Sequence, residues 1–485
     1  MNEVYNNLEA KKGINLTSNQ EQVFKRFQRF IEEKDYRVFI LNGYAGTGKT
    51  TLIRFFINEL IKLDKSYVLM ASTGRAAKIV SNSTGKKAST VHSVIYKFHD
   101  FNQDLEEVVK QEDQYGVDKT GQLFLTFAMV PVKASQKQHF YIVDEASMVS
   151  DVKDPSANQA LFGSGHLLSD LLAYDPEGKF ILVGDECQLP PILQDISPAL
   201  SSKYLREVHN IKSVESTLTS IVRQQEDNSI ILVSHKIRNL YTNPPEERWG
   251  KLPLGNYKDI QLHTDMVSMI NKYIELIRNH RYERGTFISY SNTKCNNLNK
   301  LIRSSLGYRT TLQEGDLLLV TQNNSLSGFM NGDMVIVEQI KNVRYQKGQL
   351  SFLLVEVKEL VTEHRYTQLI IENILYGNTT NLKQSDQKAL FIDFYRRMKS
   401  LGIKQKDPQF KENLSTDEYL NALRCVFGYA ITCHKAQGGE WNDVFVDIPR
   451  NLTLNAKASA YQWIYTAVTR AKKQLHVVND FFISK

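Results

Sequence analysis

Val38-Phe39-Ile40-Leu41-Asn42-Gly43-Tyr44-Ala45-Gly46-Thr47-Gly48-Lys49-Thr50, continued by Thr51-Leu52-Ile53-Arg54-Phe55-Phe56-Ile57-Asn58-Glu59-Leu60, is the stretch that decides the fold. Its opening apolar run reads as a buried strand and its last ten residues as a crossover helix. The turn between them satisfies G-x-x-x-x-G-K-[ST] in the strand–loop–helix setting that gives the pattern its meaning. Glycines let successive backbone N–H groups wrap phosphates, and the helix N-terminus adds partial positive charge. Lys49 is placed to neutralise the β- and γ-phosphates of a nucleotide, and Thr50 to hold Mg²⁺ through its hydroxyl. A chance glycine-rich turn would not come flanked by both elements in this order.

Working outward, Val68-Leu69-Met70, Phe140-Tyr141-Ile142-Val143 and Phe180-Ile181-Leu182-Val183 repeat the apolar run, each ending in a polar loop. Together they predict a doubly wound α/β domain with functional loops at the strand C-termini. At the second of these ends stands Asp144-Glu145-Ala146-Ser147. Adjacent carboxylates there suit Mg²⁺ binding by Asp144 and polarisation of an attacking water by Glu145. Gly184-Asp185-Glu186-Cys187-Gln188-Leu189-Pro190-Pro191 ends the third run, and Gln188 is an uncharged amide able to sense a γ-phosphate. Arg223 and Arg470, beyond these strands, are candidates to close on the γ-phosphate from a second domain. A lone arginine is ordinarily a surface ion pair, and only the neighbouring residues raise these two above that.

Residues 95–139 break the rhythm and read as an inserted subdomain with a hairpin. A second α/β pattern follows, marked by Thr286–Ser289, Val444–Asp447 and Leu475–Val478. Within it, Gly315–Val320, Met334–Val337, Phe352–Val355 and Thr367–Ile371 look like strands of a small barrel. Residues 380–422 are charged, with helical spacing from Lys388 to Met398. At 485 residues the chain needs more than one core.

Composition narrows the class without choosing it. Hydrophobic content is 42%, charged content 23%, and 60 Lys+Arg against 53 Asp+Glu leave a net +7, mildly suited to a polyanion. The first residues lack the pattern of a signal peptide, and no apolar stretch approaches the roughly 20 residues that span a bilayer. Cys187, Cys295, Cys425 and Cys433 are scattered without CxxC spacing, which speaks against a zinc or iron–sulfur site and for free thiols in a reducing cytoplasm.

Taken in order, these segments resemble the superfamily-1B helicases, particularly the phage Dda and bacterial RecD-like branch, with Pif1-type enzymes as close relatives. The resemblance rests on Leu16-Thr17-Ser18-Asn19-Gln20 (the Q motif), the phosphate loop, and Ser72-Thr73-Gly74-Arg75-Ala76-Ala77 with Ser89-Thr90-Val91-His92 (motif Ia). It continues through Asp144 to Ser147 (II), Gly184 to Pro191 (III) and Arg223-Gln224 (IV). Tyr429 to Glu440, containing His434-Lys435-Ala436-Gln437-Gly438, gives motif V, and Tyr465 to Ala471 gives motif VI. The matches run from residue 16 to 471.

The resemblance implies two RecA-like P-loop NTPase domains with ATP between them, an inserted β-hairpin (pin) subdomain and an inserted SH3-like β-barrel. The implied limits are 1–94 plus 140–214 for the first RecA-like domain and 95–139 for the pin. Those for the second RecA-like domain are 215–311 plus 423–485, with 312–422 for the barrel and a helical extension. Gln20 would contact adenine; Gly43, Ala45, Gly46, Thr47, Gly48, Lys49, Thr50 and Thr51 would line the nucleotide, joined by Gly439 and Glu440. Thr73, Thr90 and His92 would touch the DNA strand on one side, and Thr432, His434 and Lys435 on the other. Movement 5′ to 3′ on single-stranded DNA, work at single-strand/duplex junctions and a monomeric state are implied, with single-strand-binding or replication and repair proteins as partners. Phe98, Phe101, Tyr115, Phe124 and Phe127 are all candidates to cap the pin. Residues 148–179 have no assigned role, and the short stretch before Leu16 favours a stand-alone enzyme over a nuclease-complex subunit.

A translocase must release phosphates every cycle, so hydroxyls, amides and a few cations suit it better than a dense basic patch. No base-reading module is visible, so little sequence specificity is expected. Two other readings stand beside the DNA motor: an RNA-directed motor, and a nucleic-acid-binding scaffold whose ATPase has decayed. The intact Lys49, Thr50, Asp144, Glu145, Gln188, Arg223 and Arg470 argue against decay.

Overall fold

The structure, a computed structural model, describes residues 16–115, 122–132, 138–153, 160–220, 228–246, 250–453 and 458–484. The strands of the first part are β1 (Val38–Gly43), β2 (Ser66–Ala71), β3 (Ser89–Thr90), β4 (Tyr96–Phe101) and β5 (Leu125–Met129). They continue with β6 (His139–Asp144), β7 (Ala160–Phe162), β8 (Lys179–Gly184) and β9 (Ser213–Leu218). Six of them form a parallel sheet in the order β3-β2-β6-β8-β1-β9. Every residue of β1 and β8 is buried, as expected for central parallel strands covered by helices on both faces.

One face is sealed by aromatic rings. Thr17 and Gln20 form a capping box that starts the helix Ser18–Glu32, and this helix carries Phe27 and Phe30. Phe27 stacks at 3.9 Å on Phe56 of the helix Lys49–Lys62 and meets Phe39 of β1 edge-on at 5.8 Å. Burying such rings contributes roughly 1.5–3 kcal/mol each. That rigid layer fixes where β1 ends, and so where the phosphate loop begins.

In the second part the strands are β10 (Ile260–His263), β11 (Gly285–Ser289), β12 (Leu317–Val320), β13 (Met334–Lys347) and β14 (Leu350–Glu359). The remainder are β15 (Arg365–Ile371), β16 (Cys425–Phe427), β17 (Ala430–Thr432), β18 (Trp441–Val446) and β19 (Ala471–Val478). A second parallel sheet runs β10-β19-β18-β11-β17. The antiparallel sheet β15-β14-β13-β12-β16 closes on itself, because Leu423 N–H donates to Leu369 O (2.7 Å) and Ile371 N–H to Leu423 O (3.2 Å). The four barrel strands read from the sequence are all present. The fifth, β16, lies beyond the expected limit at 422, since without it β12 would leave an open edge.

Barrel and second sheet are joined at Tyr429, between β16 and β17. Its hydroxyl accepts from Leu317 N–H (3.1 Å) and donates to Asp316 (2.9 Å), while its carbonyl accepts from the Tyr273 hydroxyl (2.9 Å).

The limit expected at 214 also moves. β9 continues to Leu218 alongside the whole of β1, an edge strand whose polar sequence Ser-Val-Glu-Ser-Thr-Leu carries no apolar run. In the insert, β4 and β5 pair antiparallel, but the helix Leu105–Tyr115 stands between them, so the pair is not a tight hairpin. β7, from the stretch left without a role, adds parallel to β5, and Asp170 accepts from the Tyr96 hydroxyl (2.6 Å) to anchor the insert. The helix Gln384–Ser400 covers the predicted 388–398 and packs Phe391, Phe394 and Tyr395 on Phe101, Leu105 and Val108 of the insert. Of the pin candidates, Phe101 and Phe127 are thus occupied, the latter stacked on Phe162 at 4.6 Å. Phe98 and Phe124 are half-buried, and the Tyr115 side chain lies outside the described residues.

Candidate nucleotide-hydrolysis site

The phosphate loop has the backbone its glycines predict. Gly46 and Gly48 sit at φ of 79° and 81°, a region other residues enter at a cost, and Gly48 caps the helix that follows. A Cβ on Gly43 would lie 2.9 Å from both Lys49 Cγ and Thr47 Oγ1. Lys49 Nζ lies back along the loop, donating to Gly43 O (2.7 Å) and Tyr44 O (3.3 Å). Thr50 and Thr51 open the helix, half-buried. Gln20 is buried beside the loop; its amide donates to Thr47 O (3.0 Å) and its oxygen accepts from Thr17 N–H (3.0 Å).

Asp144 and Glu145 end β6, next to β8 in the sheet. Burial, reinforced by Glu145, raises the Asp144 pKa to about 7. Glu145 holds φ of 51°, a strained position for a residue with a side chain, and its Oε2 is buried without a partner. A buried carboxylate beside a half-buried one with an unsatisfied oxygen fits a divalent cation. Among the described residues no three His, Cys, Asp or Glu side chains gather to hold a metal alone, so such a cation would share its ligands with phosphate.

The segment after β8 faces the second sheet. Gln188 is buried with its Oε1 unpartnered. Its carbonyl accepts from Gln462 Nε2 (2.9 Å), and Leu189 N–H donates to Thr466 Oγ1 (2.9 Å), both on the helix Ala458–Val468. Leu189 O accepts from Gln437 Nε2 (3.0 Å).

Arg470 is enclosed, but its guanidinium is turned toward its own unit. It donates to Thr466 O (3.1 Å), Gly439 O (3.3 Å) and Thr469 Oγ1 (3.1 Å). Gly439 therefore lies beside Arg470 and Trp441 rather than along the phosphate loop, and Glu440 pairs with Lys472 (3.4 Å). Arg223 lies outside the described residues. Among the described residues, a cation that the second unit brings to the loop is Arg238 of the helix Ser229–Thr242, its guanidinium 3.7 Å from the Tyr44 ring centre and its Nη1 buried without a partner. Sequence reasoning missed Arg238, because it shares no spacing with the loop it meets. It also missed Arg75, which reaches from the first unit to lie 4.1 Å over Trp441. Burial lowers the Arg75 pKa to about 10.

The residues proposed for nucleic acid fall at strand ends on the two sheets. Thr73 and Thr90 cap their helices, accepting from Ala76 N–H (3.2 Å) and Ser93 N–H (3.2 Å). His92 packs 5.1 Å from Phe162, and burial lowers its pKa to about 4, so it is neutral. Thr432 and Lys435 line a narrow cleft with Asn292 and Asn296, and Lys435 donates to Asn331 (3.2 Å). Burial lowers the Lys435 pKa to about 8 and draws His434 down as well. Lys78 forms an ion pair with Asp333 of the barrel, alongside the tight contact of Gly74 with Met330.

A phosphate loop, a buried acid pair and a facing second α/β unit define a P-loop nucleotide hydrolase of the two-unit kind. An AAA-domain family model matches residues 15–243, and a UvrD-like helicase C-terminal-domain model matches 427–478. The ATP-dependent DNA helicase Dda of Enterobacteria phage T4 is 28% identical over 487 residues, covering 96% of this chain and 99% of that one. The RecD2 DNA helicase of Deinococcus radiodurans is 29% identical over 215 residues, 44% of this chain but only 23% of its own length. A solved structure of two coordinating Pif1 helicases at forked duplex DNA shares the fold, with a TM-score of 0.50 at 15% identity, covering 97% of this chain and 95% of that one. The chain therefore carries an AAA-type domain in its first half and a UvrD-like helicase C-terminal domain near its end, and over nearly its whole length it is similar to the T4 DNA helicase Dda. Among the described residues no helix is long and apolar enough to cross a membrane.

Proposed function

We propose that the protein is an ATP-driven DNA helicase that moves 5′ to 3′ along single-stranded DNA and opens duplexes at junctions. The observation that carries this reading is the nucleotide loop of one sheet held against the helix Ala458–Val468 of the other, so that hydrolysis has two bodies to move. Support for the substrate comes from the T4 helicase, similar along nearly its whole length.

In this reading the loop amides and Lys49 take the triphosphate, and Gln20 and Thr51 flank the nucleotide. Glu145 draws the proton of the attacking water, its free Oε2 being available to accept it. Gln188 reports the γ-phosphate, Arg223 supplies charge to it, and Arg470 does so once nucleotide turns it inward, with Gly439 and Glu440 nearby. Mg²⁺, held by Thr50 and Asp144, would neutralise developing phosphate charge. Single-stranded DNA crosses Thr73, Thr90 and His92, then Thr432, His434 and Lys435. The neutral histidines serve as stacking or hydrogen-bonding surfaces rather than cations. The insert built on β4, β5 and β7 is the strand-separating pin, and the barrel is SH3-like.

Single-stranded DNA should raise the ATPase rate of the wild type many-fold, and Lys49→Ala and Glu145→Gln should each abolish that rate while leaving DNA binding intact. Duplexes with a 5′ single-stranded tail should be unwound and those with a 3′ tail left alone; the reverse preference would refute the polarity. Equal stimulation by a matched RNA would favour the RNA-directed alternative.

A further inference from the structure

The phosphate loop is gripped from the opposite unit by a side chain with no role in the scheme above. Tyr465 lies on the helix Ala458–Val468, 1% exposed, with its hydroxyl between two groups of the first unit. That oxygen accepts the N–H of Ala45, inside the phosphate loop, at 3.3 Å. It donates its proton to Asp185 Oδ2 at 2.7 Å. Asp185 is itself 1% exposed, and its other oxygen accepts from Cys187 N–H (3.0 Å). The next residue, Thr466, binds Leu189 N–H through its hydroxyl and Arg470 through its carbonyl.

We propose that Tyr465 is a positioning residue that couples closure of the two units to the shape of the phosphate loop. The inference rests on the ATP-driven motor reading. A half-buried amide and a buried carboxylate that share one oxygen are costly to strip of it, so Ala45 and Asp185 depend on a hydroxyl delivered by the other unit. When the units part, both lose that partner together. When they close, one atom sets the loop backbone and the segment leading to Gln188 in register at once. The same helix carries the backbone that orients Arg470, so loop, Gln188 and arginine are indexed to a single rigid element. Arg238, stacked on Tyr44 from the same unit, holds the adjoining residue of the loop. A phenol suits the task because its ring is anchored in the second core while its one polar atom both donates and accepts.

The test is steady-state ATPase of wild type, Tyr465→Phe, Asp185→Asn and the double variant, with and without saturating oligothymidine, together with melting temperatures. Phenylalanine keeps the ring and deletes only the hydroxyl. The expected result is a DNA-saturated kcat at least ten-fold lower in Tyr465→Phe, with KM for ATP within about three-fold and a melting temperature close to wild type. Asp185→Asn should show the same pattern, and the double variant should be no worse than the poorer single one, because the two act through one bond. A Tyr465→Phe protein with wild-type DNA-stimulated kcat overturns the inference, as does a double defect equal to the product of the two singles. A wild type whose ATPase ignores DNA would remove the motor reading and this inference with it.

Discussion

Lys435 is the residue whose behaviour the structure constrains most sharply. Its side chain is half-buried, and burial lowers its pKa to about 8. A lysine with a lowered pKa loses its proton as pH rises through that value, so its charge is present at pH 7 and gone by pH 9. If it holds a DNA phosphate, affinity for single-stranded DNA should fall about ten-fold across that range, a charge-assisted contact contributing roughly 1.5 kcal/mol. Lys435→Arg stays charged throughout and should flatten the profile. Fluorescence anisotropy at constant ionic strength measures both, and parallel curves would remove Lys435 from the tract. At this scale the phosphate loop was legible because its chemistry is contiguous: eight neighbouring residues set their own backbone. The orientation of Arg470 was not, because it is set by Thr466 and Gly439 carbonyls that only the folded chain brings close.

Elements were legible in proportion to how local their signal is. β1, β6 and β8 are continuous apolar runs and are read directly; β9, with Glu215, Ser216 and Thr217 in a row, has no apolar run, and the limit expected at 214 cuts across it. β16 is three residues long, too short to announce itself, and is fixed only by the barrel edge it completes. The helix Gln384–Ser400 was visible from its spacing, but its partner was not: Phe391 meets Phe101 at 5.0 Å, edge-on. Truncating a buried phenylalanine costs roughly 3–5 kcal/mol. Phe391→Ala should therefore lower the melting temperature by several degrees and speed amide hydrogen exchange in β4 and β5 before that of β1. Unchanged exchange in the insert would show that its packing on the helix contributes nothing to its order.

For the molecule as a whole, two α/β units and a barrel followed from the order of apolar runs. How they meet did not, since contacts such as Ala45 with Tyr465 join residues 420 positions apart. Lys435 is the one cation among the six residues proposed for the DNA path, which carries a prediction about salt. If one phosphate is neutralised, the logarithm of single-strand affinity should fall with the logarithm of salt at a slope of about −0.7. A slope steeper than about −5 would point to a broad basic surface elsewhere. A last consequence concerns Tyr429. Only Gly428 and Tyr429 lie between the barrel's final strand and the strand leading to Thr432, and the tyrosine is pinned on both sides. The barrel is mounted like a tool on a carriage, without a slack tether: a sideways load on it reaches Thr432 and Lys435 as torque, with no loop to absorb it.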